Sequence, residues 1–79
     1  MPADFRMPDF SQAELELRFE DNEVCLYGTA SGLRRLADLC TSLADRQDDG
    51  HIHLDRDHFP SGFLTKESEV GAIAVFTED

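Results

Sequence analysis

The sequence predicts a small α+β domain of element order β-β-α-β-β, a two-layer arrangement in which a mostly antiparallel four-stranded sheet carries one helix on one face. Three observations predict it. Apolar and polar residues alternate with period two on either side of Asp21-Asn22. The spacing changes to a helical period over residues 31–47. Short alternating runs then return at 51–55 and 70–76.

The hairpin is the clearest element. Leu15, Leu17 and Phe19 alternate with Glu14, Glu16, Arg18 and Glu20, which gives a strand one apolar face. Asp21-Asn22 follows, and both residue types tolerate the positive φ of a two-residue hairpin turn. This turn sets Phe19 opposite Val24, Leu17 opposite Leu26 and Leu15 opposite Gly28. A slip of one residue would mix the faces. The apolar set is expected to pack against Leu36, Cys40 and Leu43, leaving Glu16, Arg18, Cys25 and Tyr27 on the other face.

In the helix, Leu33, Leu36, Ala37, Cys40, Leu43 and Ala44 form the expected apolar stripe. Ser31 is the expected N-cap. Asp48-Asp49-Gly50 is expected to end the helix, with Gly50 left-handed. In His51-Ile52-His53-Leu54-Asp55, Ile52 and Leu54 are expected to face the core, with His51, His53 and Asp55 opposite. Residues 56–68 form a long connection, with Pro60-Ser61-Gly62 as its turn. Val70 to Phe76 is apolar in both alternating sets, which predicts a strand covered on both sides. Residues 1–12 carry Pro2 and Pro8 without a period. They are read as a flexible arm pinned by Phe5 or Phe10, preceding a single domain over 13–79.

Composition bounds the function. The chain has 79 residues, so a second domain would lack a core of its own. Seventeen Asp and Glu against seven Lys and Arg give a formal charge of −10. Phosphate backbones and anionic membrane surfaces are therefore disfavoured partners, and a basic protein is favoured. The N-terminus has no apolar run, so no secretory signal is expected. No stretch approaches a membrane span. Cytoplasmic location is the expectation. Cys25 and Cys40 make neither a disulfide framework nor a zinc ribbon and are read as small, mostly buried thiols.

No enzymatic constellation stands out. A reactive thiolate needs an electropositive setting, which this acidic chain does not offer. No glycine-rich phosphate cradle is present, and no cofactor is expected. His51, His53 and Asp55 are the only metal candidates. Residues two apart on a strand point the same way, about 6.6–6.8 Å apart, so two imidazoles can share a zinc ion, but the ligand set is incomplete. No bound metal is expected. In the 56–68 loop, Phe59 and Phe63 sit among Arg56, Asp57, His58, Lys66 and Glu67, a composition that suits either a binding hot spot or a plug for the core.

Gly28, Leu33-x-x-Leu36-Ala37, Leu43, His51-x-His53-Leu54-Asp55 and Leu64-Thr65-x-x-Ser68 together resemble immunity protein family thirty-two of the bacterial polymorphic toxin systems. The resemblance covers roughly residues 24–76. It implies a non-enzymatic protein that binds and neutralises a cognate toxin. Many such toxins act on nucleic acids through basic clefts, which an acidic inhibitor can occupy. The expected partner-binding residues are Glu16, Arg18, Tyr27, His51, His53, Asp55, Asp57, Phe59 and Phe63. The alternatives are a small metal-binding protein using the histidine cluster, and a homodimer burying Cys25 and Tyr27 against a second copy.

Overall fold

Leu15–Glu20 (β1) and Glu23–Gly28 (β2) form an antiparallel hairpin in the computed structural model, which describes residues 7–46, 49–59 and 62–76. The register is the expected one, pairing Leu15 with Gly28, Leu17 with Leu26 and Phe19 with Val24. Asp21 and Asn22 take φ of 53° and 63°, so both central residues of the turn are left-handed, as the right-handed twist of a two-residue hairpin requires.

One helix follows at once, Ala30–Ala44 (α1). Its N-cap is Thr29 rather than Ser31: the Thr29 hydroxyl accepts the Gly32 N–H at 2.9 Å. The Thr29 N–H donates to Glu14 O at 3.0 Å, which ties the helix start to the lead-in of β1. Gly32 lies so close that a Cβ there would stand 2.2 Å from that same carbonyl oxygen. Asp45 caps the other end. Gly50 begins the next strand instead of ending the helix, and Asp48 lies outside the described residues.

Gly50–Leu54 (β3) and Gly71–Val75 (β4) make a second antiparallel pair, with His51 opposite Ala74 and His53 opposite Ala72. The α+β class and the element order agree with the sequence reading, but the strands pair as two two-stranded sheets instead of one four-stranded sheet. Residues 63–69 run beside β1 and bond to it at intervals: Leu15 N–H to Phe63 O (2.9 Å), Thr65 N–H to Leu15 O (3.0 Å) and Glu69 N–H to Leu17 O (2.8 Å). Between them the Leu17 N–H donates to the Ser68 hydroxyl at 2.9 Å, so a side chain stands where a regular ladder would place a carbonyl. This irregular run joins the sheets without becoming a strand. β4 is therefore not a central strand covered on both sides, and Ala72 and Ala74 are exposed.

The core sits at the base of the first hairpin. Leu15, Leu54, Phe63 and Leu64 are buried together, with Leu17, Leu36, Leu39, Phe59 and Ile73 packed around them. The helix presents Leu36 and Leu39 to this core, and its buried positions are Gly32 and Leu43. That stripe is rotated from the expected one, and Ala37, Cys40 and Ala44 are exposed. Phe19 and Val24 are also exposed, contrary to the expected hairpin core. The helix starts at the Leu15 end of the hairpin, and six strand residues place the turn about 17 Å away, so it covers the base and not the tip. Phe10 is half-buried, whereas Phe5, Pro60 and Ser61 lie outside the described residues.

Candidate partner-binding surface

The polar face of the first hairpin is not open. Glu16 is 2% exposed. Its carboxylate accepts the Thr65 hydroxyl on one oxygen and the Arg18 Nε–H on the other. Arg18, itself 13% exposed, also lies 3.7 Å from Glu20 and stacks 4.7 Å above the Tyr27 ring. The Tyr27 hydroxyl closes the network by donating to Glu20 at 3.0 Å. The hydrogen bond to Glu16 raises the Arg18 pKa above its ordinary value. The bond to the Glu20 carboxylate likewise raises Tyr27. Burial raises the Cys25 thiol pKa, and the Glu23 charge adds to it.

Two of the expected contact residues are thus inside the protein. Glu16 belongs to a buried network, and Phe63 is fully buried. Phe63 carries the Arg35 guanidinium 4.5 Å above its ring and packs on Phe59 at 5.1 Å, which makes these aromatics a core plug. Met7, Pro8 and Asp9 border a shallow depression against Glu16 and Arg18, so the chain's own arm approaches this face.

The second sheet supplies the open surface. His51 and His53 are exposed, with the half-buried Asp55 just beyond the end of β3 and Asp57 exposed nearby. The His51 and His53 rings meet edge to face at 4.9 Å, and the His58 ring lies 5.2 Å from His53. Asp55 accepts both the backbone N–H and the ring Nδ1 of His58 at 2.8 Å, and these bonds hold its pKa below the ordinary carboxylate value. Among the described residues no three His, Cys, Asp or Glu side chains are grouped to hold a metal ion. Cys40 is exposed and Cys25 half-buried, so neither is the buried thiol the sequence suggested.

The distinctive sequence segments now have structural roles. In Leu64-Thr65-x-x-Ser68, Leu64 fills the core, Thr65 bonds Glu16 and Ser68 bonds the Leu17 amide. Leu33 covers Gly28 so closely that a Cβ there would stand 2.9 Å from its side chain. Residues 23–75 match the family described as Immunity protein 32. The chain belongs to the immunity protein 32 family. The match runs from the first residue of β2 to the last of β4 and leaves out β1, although β1 supplies Leu15 and Glu16 to the interior. No curated protein and no solved structure matches the chain. No helix among the described residues is long and apolar enough to cross a membrane.

Proposed function

We propose that this immunity protein 32 family member is a non-catalytic inhibitor that binds and neutralises a cognate bacterial toxin in the cytoplasm. The family match over 23–75 is the observation that carries the reading. The −10 charge supports a basic toxin, because opposite fields steer encounter and an acidic surface can stand in for phosphate in a cationic cleft. The solvent-accessible part of the sequence-derived surface, the exposed His51, His53 and Asp57 with the half-buried Asp55, is the proposed polar contribution to that contact.

The gene neighbourhood and an inhibition assay test this together. A large secreted toxin is expected beside the gene for this chain, and its purified toxic domain should lose activity on addition of one equivalent of the chain. An unrelated metabolic neighbourhood, or full toxin activity in excess chain, would contradict the reading.

A further inference from the structure

Phe59 and Phe63 are withdrawn into the core, so the apolar anchor of an interface has to come from elsewhere. Protein interfaces combine charge, which guides approach, with a few apolar residues that hold the complex. The first hairpin displays such residues. Phe19 is 63% exposed, Val24 71% and Leu26 42%. Phe19 and Val24 are cross-strand partners, and Leu26 follows Val24 on the same side of β2. Gly28 continues that side, and Leu33, 45% exposed, lies over it. The four side chains form one strip from the hairpin turn to the first turn of α1. Scattered exposed apolar residues need no explanation, but a contiguous strip on the inward-type face of a hairpin does.

We propose that this strip, Phe19, Val24, Leu26 and Leu33, is the apolar anchor that docks a basic protein partner; the proposal rests on the immunity reading and locates its contact. Charge decides between a basic partner and a second copy. Each chain carries −10, and Asp21 and Glu23 stand exposed at the turn end of the strip. A two-fold pairing would bring the same patch, with its acids, against itself. A cationic partner would instead find apolar anchors inside a negative field, with Asp21 and Glu23 placed to meet its lysines or arginines.

The experiment uses the full chain and the purified toxic domain encoded beside its gene, with binding followed by surface plasmon resonance and the free chain by sedimentation. Phe19→Ser with Val24→Ser alters two solvent-facing side chains. A Val70→Ser, Phe76→Ser pair, as exposed and apolar at 74% and 77% but at the two ends of β4, serves as the control. The expected result is a monomeric free chain and about a hundredfold weaker binding for the first pair, mainly through faster dissociation, with the control pair changed less than about threefold. An unchanged thermal midpoint establishes that the variants are folded, and Val24→Asn alone provides the same comparison should the double variant unfold. Equal binding by the hairpin variants would overturn the proposal. Loss of binding only in the control pair would move the apolar anchor to the ends of β4. A wild-type dimer that Phe19→Ser and Val24→Ser dissolve would assign the strip to a second copy. No binding of the wild-type chain to that domain would refute the immunity reading itself, and is distinguishable because the variants play no part in it.

Discussion

The Thr65 hydroxyl donates to the Glu16 carboxylate across 49 positions of sequence, and both side chains are buried. This bond, with that from Arg18, satisfies a carboxylate taken out of water at the seam between β1 and the 63–69 segment. Among the described residues no buried side-chain nitrogen or oxygen lacks a hydrogen-bond partner, as a stable buried network requires.

Thr65→Val should therefore destabilise the protein by about 1–3 kcal/mol, because it leaves a buried acceptor short of a donor while nearly conserving shape. A double-mutant cycle with Glu16→Gln, followed by urea unfolding, should show coupling between the two positions. Additive effects would mean that the hydroxyl and the carboxylate act independently.

The core is expected to be anchored by Phe63 and not by the hairpin tip. Phe63→Ala should cost about 3–5 kcal/mol, and Phe19→Ala should stay within about 0.5 kcal/mol, as exposed substitutions do. Similar losses at both positions in chemical denaturation would contradict the placement of the core.

The contrast between Phe63 and Phe19 shows what the sequence could convey. Local features were legible: the turn at Asp21-Asn22 fixed the hairpin register, because a slip of one residue would put Val24 and Leu26 on the face opposite Leu15, Leu17 and Phe19. Burial was not. Period two assigns a face but not the length of that face which another element reaches, and α1 starts just after the Gly28 end of the hairpin and covers only the base. The polar side of β1 was equally deceptive. Glu16 reads as a solvent-facing strand residue, and its burial depends on Thr65 in a segment without strand periodicity. The helix stripe was rotated because Leu39 was left out and Cys40 put in, a choice that the leucine spacing alone did not settle. The histidine face was legible, since His51 and His53 follow the alternation and β3 keeps it.

Stability should carry an acid-side contribution from Asp55. The bonds from His58 depress its folded-state pKa below the unfolded value. The sign follows from linkage: the contribution is fully present above the unfolded carboxylate pKa of about 3.9 and is lost as pH falls through the lower folded value. Asp55→Asn should thus be less stable than wild type at pH 6, with the gap closing well below pH 4 in urea titrations. A gap that is unchanged at the lowest pH would exclude the carboxylate as its source.

Association with a basic toxin should be steered. Its on-rate should fall steeply with added salt, since screening limits the field to about 8 Å at physiological ionic strength. Reversing Asp55 and Asp57 should slow association more than reversing Asp38 and Asp45, at equal net charge, if the end of β3 faces the incoming partner. Equal rates in stopped-flow mixing would leave only a diffuse charge effect, and salt-independent rates would remove steering altogether.

The most direct measurement is survival. Cells induced to make the toxic domain encoded beside this gene should stop growing, and co-expression of this chain should restore growth, with an unrelated immunity protein of similar charge giving no rescue. Growth arrest that persists despite folded, abundant chain would contradict the account.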